Sequence, residues 1–89
     1  MGLLTVPDPE PKHSAVNRTT AAFGERVRKR RLELGLSQEA AALRCGIHWT
    51  QLGKVERGQR SLRLETIIRI ADGLSVDAGV LVSGLPSPV

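Results

Sequence analysis

Aromatic residues are nearly missing: one Phe, one Trp and no Tyr occur among 89 residues. Holding single-stranded RNA or DNA by stacking takes several exposed rings, so the composition argues against that class of binder. Cysteine is limited to Cys45, which rules out an intramolecular disulfide or a cysteine zinc cluster and suits a reducing cytoplasm. A lone cysteine of this kind is expected in the core. His13 and His48 each lack a second ligand at metal-binding spacing, so no metal and no other cofactor is expected. No stretch approaches the ~20 apolar residues of a membrane span. Gly2 to Val6 is too short for the apolar segment of a signal peptide and follows no basic start. A paired carboxylate in an apolar setting, a Ser or Cys with a His base and a phosphate-cradling glycine loop are all lacking, so an enzyme is not expected. Cys45 should face inward and His48 outward, which keeps them from forming a dyad.

What the chain does have is a 40% apolar fraction, enough for one small helical domain. Its charge is unevenly distributed. Residues 23–63 hold ten Lys or Arg against Glu25, Glu33, Glu39 and Glu56, whereas residues 64–89 hold Arg69 against Glu65, Asp72 and Asp77. A basic half beside an acidic end is the pattern of a polyanion-binding face with a separate non-binding end.

Residues 1–19 contain Pro7, Pro9 and Pro11 with no sustained apolar period and read as a flexible N-terminal arm. Residues 20–83 form the domain, and Gly84, Pro86 and Pro88 mark a frayed tail over 84–89. A first helix is expected from about Thr20 to Leu34, capped by Thr19 or Thr20 and ended by Gly35, with Phe23, Val27, Leu32 and Leu34 as its apolar side. Arg31 stands four residues after Val27 and eight after Phe23. That spacing turns it inward, where it needs a carboxylate partner, and Glu56 is the candidate.

Ser37 to Gly58 is the stretch around which the rest of the chain is organised. Ser37 caps a second helix of strong helix formers, Gln38 to Cys45, and Gly46 ends it in the left-handed conformation. A third helix runs from about His48 to Arg57. Ala41, Ala42, Cys45, Ile47, Leu52 and Val55 give both helices one common apolar side. Trp49, Thr50, Gln51 and Lys54 are left on the outer face as a candidate reading surface. After the donor-rich turn GQRSL, a fourth helix spans about Leu64 to Gly73 with Leu64, Ile67, Ile68, Ala71 and Leu74 buried. Ser75 or Asp77 starts a last short helix through about Leu81. Ile70, Val76, Val80, Leu81, Val82 and Leu85 make this end more apolar than so small a domain is expected to bury, which marks Ile70, Val76, Val80 and Leu81 as a dimerisation surface, the plainer alternative being that these residues simply complete the core.

RKRRLELGLSQEAAALRCGI, the helix end KVERGQR and LETIIRIADGL together resemble the phage-repressor and Cro-like helix-turn-helix family, also called XRE, over about residues 23–83. The resemblance implies an all-α bundle of five helices of the lambda-repressor-like type, with helices two and three as the helix-turn-helix. It implies a homodimer on double-stranded DNA, with helix three in the major groove and half-sites about one helical turn, ~34 Å, apart. The base-reading places of the family fall on Trp49, Thr50 and Lys54, with His48 and Gln51 at their edges. Gln38, Arg57, Gln59 and Arg60 fall on its phosphate contacts, and Arg31 with Glu56 on a buried ion pair held by some members.

Trp49 stands where many relatives carry a polar or basic residue, and its role is open between touching thymine methyls or sugar and folding back on helix two. Arg30 replaces an apolar residue of helix one, and Leu62 a frequent proline. HWTQLGKVERGQRSL also resembles regulators of restriction-modification operons and small actinobacterial regulators. A transcriptional regulator is thus expected, without a small-molecule ligand or membrane association. RNA polymerase is a further candidate partner through Glu65, Asp72 and Asp77, although surface carboxylates are ordinarily just solvated. The alternative on the same fold is an antitoxin-like protein-binding module whose arm offers Leu3, Leu4 and Val6.

Overall fold

Asn17, rather than Thr19 or Thr20, starts the first helix. In the computed structural model, which describes residues 15–89, its side chain accepts from Thr20 N at 2.9 Å while Thr20 Oγ1 accepts from Asn17 N at 3.1 Å. This reciprocal box satisfies two donors that a helix start leaves open. Asn17→Ala should therefore cost about 1 kcal/mol in a denaturant titration, and an unchanged midpoint would show the box to be idle. Helix α1 then runs Arg18–Glu33, α2 Gln38–Cys45, α3 Trp49–Glu56, α4 Leu64–Gly73 and α5 Ala78–Val82, with no strand among the described residues.

The core gathers one stripe from each helix: Phe23 and Val27 of α1, Ala41, Ala42 and Cys45 of α2, Leu52 and Val55 of α3, Ile70, Ala71 and the following Leu74 of α4, and Leu81 of α5. Small residues set the closest approaches. A Cβ on Gly24 of α1 would lie 2.3 Å from Val55 O, and one on Gly73 of α4 would lie 2.6 Å from Cys45 Cα. Helix α1 thus packs on α3 and α5, α2 on α3 and α4, and α4 on α5. Between α2 and α3 the chain turns at Gly46, whose φ of 71° is the left-handed region that glycine enters without strain.

Helix α4 is rotated relative to its expected phase. Ile67, Ile70, Ala71 and Leu74 face the core at the i, i+3, i+4, i+7 spacing, and Leu64 and Ile68 are exposed about a quarter turn away. Two of the residues expected at a dimerisation surface are therefore core residues: Ile70 is 0% exposed and Leu81 1%. Val76 is partly buried against the core, and Val80 alone of the four lies open, at 60%. Leu32 is likewise exposed rather than on the apolar side of α1.

The tail is not frayed. Arg18 Nε and Nη2 donate to Ser87 O and Val89 O, each at 2.5 Å, Thr19 Oγ1 donates to Pro86 O at 2.6 Å, and Leu85 packs against the core. At the other end Val16 N donates to Gly58 O at 2.8 Å, so the ordered fold begins before residue 20. The expectations for Leu3, Leu4, Val6 and His13 lie outside the described residues.

Candidate nucleic-acid interface

Helix α3 carries the outward face. Leu52, Gly53, Val55 and Glu56 are its buried side, which leaves Trp49, Thr50 and Lys54 exposed and Gln51 half-buried. His48, placed at the edge of the face from the sequence, is the N-cap: its Nδ1 accepts from Thr50 N at 3.2 Å and lies 2.8 Å from Thr50 Oγ1. Trp49 is 49% exposed. Its ring stacks on that of His48, centroids 6.0 Å apart at an interplanar angle of 25°. It is not among the side chains packed on the core. Lys54 has no hydrogen-bond or ion-pair partner among the described residues, and its ammonium is free to meet an anion or a base edge.

Behind this face lies an ion pair that fixes α3 to α1. Arg31 Nε and Nη2 donate to Glu56 Oε2 and Oε1 at 2.6 and 3.0 Å, and Arg31 Nη1 donates to Leu36 O at 2.9 Å. The bond to Glu56 raises the guanidinium above its ordinary pKa, with burial acting the other way, so the charge is retained at any physiological pH. Gln38, set on a phosphate by the resemblance, turns inward and donates from Nε2 to Glu56 Oε1 at 3.1 Å. The carboxylate of Glu56 has acceptor capacity left after the two arginine bonds, and that capacity captures the amide. Arg57 stays exposed beside Gln59, donating from Nε to its Oε1 at 3.1 Å, and Arg60 is exposed on the next turn of chain.

The basic half divides between two tasks. Arg26 Nη1 donates to Ser83 O at 2.6 Å and Leu81 O at 3.2 Å, closing the end of α5. Arg30 Nε and Nη2 donate to Leu74 O and Ser75 O at 2.9 and 3.0 Å, and Arg44 Nη2 reaches Ser75 Oγ at 3.1 Å. Ser75 has a φ of 53°, disfavoured for any residue with a Cβ, and these two arginines hold it there. Arg30 in place of an apolar residue was the sequence signal for this role; nothing comparable marked Arg26. With Arg31 also committed inside the fold, Lys54, Arg57, Arg60 and Arg63 are the exposed cations of α3 and of the segment that follows it.

Cys45 is buried, its Sγ 3.7 Å from Ile70 O, and burial pushes its thiol pKa up despite the nearby Arg44, so it is kept protonated and inert. Among the described residues no group of three or more His, Cys, Asp or Glu is placed to hold a metal ion, and no helix is long and apolar enough to cross a membrane.

Two short helices at a glycine turn, the second presenting an exposed polar face on a core-anchored back, define a helix-turn-helix DNA-binding domain. The chain belongs to the HTH_3 helix-turn-helix family of transcriptional regulators, whose pattern matches residues 27–81; it is a family of regulators and not of enzymes. Over 77 residues it is 35% identical to a protein of Rhodospirillum rubrum described as an uncharacterized transcriptional regulator in the ATPase CF(0) region, covering 86% of this chain and 71% of that one. It is 38% identical over 61 residues to control protein C.BamHI of Bacillus amyloliquefaciens, covering 67% and 75% of the two chains. Among solved structures, the restriction-modification controller protein C.AhdI from Aeromonas hydrophila superposes with a TM-score of 0.68 at 39% identity, covering 70% of this chain and 94% of that one.

Proposed function

We propose that the chain regulates transcription as a cytoplasmic homodimer bound to an inverted-repeat operator in double-stranded DNA. The observation that carries this reading is the exposed outer face of α3, with Thr50 and Lys54 open to solvent and Arg57 and Arg60 exposed in the chain that follows. Lys54 suits guanine O6 and N7, Thr50 a polar base edge or a thymine methyl, and Gln51 the rim of the face. Trp49 offers one N–H and a broad apolar surface to sugar or methyl groups. Arg57, Gln59 and Arg60 suit the phosphate backbone, which sets register and not sequence. Gln38 supports that contact through the backbone N–H groups at the start of α2, since its side chain is bonded to Glu56. For the dimer, Val80 remains a candidate contact and the exposed Ile68 and Val82 replace the buried Ile70 and Leu81. The names of the controller relatives support a regulatory role. Of the carboxylates considered for RNA polymerase, Asp77 is occupied in capping α5, where Oδ2 accepts from Gly79 N at 2.8 Å.

Selection of bound duplexes from a random pool at near-physiological salt tests the reading. An inverted repeat bound about a thousandfold tighter than a shuffled control supports it, and salt-labile binding equal for both overturns it. On the selected site Lys54→Ala should cost about 1–3 kcal/mol and relax one base position, whereas Arg60→Ala should weaken all sequences alike and flatten the salt slope by about one unit. Equal losses from both variants on every sequence would remove Lys54 from the readers.

A further inference from the structure

His48 differs from the other capping residues in where its bonds go. Ser37 and Asp77 cap α2 and α5 by accepting from a backbone N–H alone, at 3.0 and 2.8 Å. His48 Nδ1 accepts from Thr50 N at 3.2 Å and also meets the hydroxyl of the same residue at 2.8 Å. A backbone N–H can only donate, so Nδ1 is an acceptor and bears no hydrogen, which puts the hydrogen of the neutral ring on Nε2. Facing that lone pair, Thr50 Oγ1 must spend its own hydrogen on Nδ1. Outward it then offers only oxygen lone pairs and a methyl group. The indole of Trp49 stacks beside the imidazole, ring centroids 6.0 Å apart.

We infer that His48 is a positioning residue for base selection: it converts the Thr50 hydroxyl, which ordinarily donates or accepts, into an acceptor. Thr50 then favours a base that presents an exocyclic amino group in the major groove, adenine N6 or cytosine N4, and disfavours guanine or thymine at that place. The inference rests on the reading of α3 as the major-groove helix.

Two measurements test it, one of them independent of DNA. A long-range 1H–15N correlation spectrum of the labelled protein, with His48→Asn to assign the ring, should show the Nε2–H form; a ring protonated on Nδ1 overturns the inference. Base preferences are then compared for the parent, Thr50→Val and His48→Asn by selection from the random duplex pool. Asparagine is a good N-cap, so His48→Asn should melt close to the parent, as a purely structural role would have it. The preference for adenine or cytosine under Thr50, about tenfold in the parent, should nevertheless fall to about threefold or less, a ratio of the size one hydrogen bond supplies. Thr50→Val keeps the methyl contact and should lose the same preference. If Thr50→Val erases a preference that His48→Asn leaves whole, the inference is overturned and the reading of α3 stands. If Thr50→Val changes no base position, Thr50 is not a reader and the inference falls, while the reading of α3 is decided by the selection and by Lys54→Ala.

Discussion

Glu56→Ala is expected to unfold the domain near physiological temperature. Its carboxylate takes two bonds from Arg31 and one from Gln38 in a position only 7% exposed. Truncation leaves the guanidinium of Arg31, a residue 8% exposed in the intact domain, with Leu36 O as its remaining acceptor. Breaking a buried pair from one side costs about 3–5 kcal/mol, because the surviving charge stays out of water unpaired. A domain this small sits toward the lower end of the about 5–15 kcal/mol that folded domains have in all, so most of it would go. The pair itself is a different quantity. Replacing Arg31 and Glu56 together by apolar residues of similar volume, for instance Met at both places, should recover much of the loss, since neither charge is then buried. Thermal and urea unfolding of the single and double variants measures both effects, and a Glu56→Ala domain as stable as the parent would show that the bridge is solvated.

Gly24→Ala is expected to be nearly as damaging, although it adds one methyl group to a helix. At that site the new Cβ would fall 2.3 Å from Val55 O and 2.6 Å from Glu56 O, both backbone atoms at the end of α3. Alanine favours the helix by about 0.5–1 kcal/mol, but separating α1 from α3 opens the core around Phe23, Val27 and Val55 and strains the Arg31 bridge, an overpacking loss of about 3 kcal/mol. The internal control is Gly53→Ala on α3, where the Cβ would meet only the ends of Arg57 and Gln38 at 3.2 and 3.5 Å, side chains able to swing aside. That variant should be neutral or slightly stabilising by urea titration. Equal behaviour of the two alanines would mean that the approach of α1 to α3 is not set by Gly24.

These two sites also show what the sequence makes legible. Ser37, Gly46 and the small residues between them announce α2 and its turn through cap and glycine chemistry, which is local. The inward place of Arg31 follows from its spacing with Phe23 and Val27. The phase of α4 does not follow from spacing, because Leu64, Ile67, Ile68, Ile70, Ala71 and Leu74 satisfy two overlapping stripes. What decides between them is the seat of Gly73 on the backbone of Cys45, a contact between distant parts of the chain. Helix α1 starts two residues ahead of the expected Thr20, because Thr19 and Thr20 are themselves good caps by type and Asn17 prevails by its exchange of bonds with Thr20. At the candidate site, outward residues on α3 were readable from periodicity, while the turn of Gln38 toward Glu56 and the bond from His48 to Thr50 depend on side-chain geometry that no spacing encodes.

The return of the tail to α1 bears on the rate at which the domain opens. Helical domains fold fast because their contacts are local. Here Arg18 and Thr19 bond carbonyls that lie 67–71 positions further along the chain. Closing so long a loop before the helices have docked is entropically unfavourable, so these bonds form after the main barrier has been crossed. Interactions absent from the transition state leave the folding rate alone and slow unfolding. The strap over α1 thus acts on how long each folded molecule persists rather than on how quickly it forms.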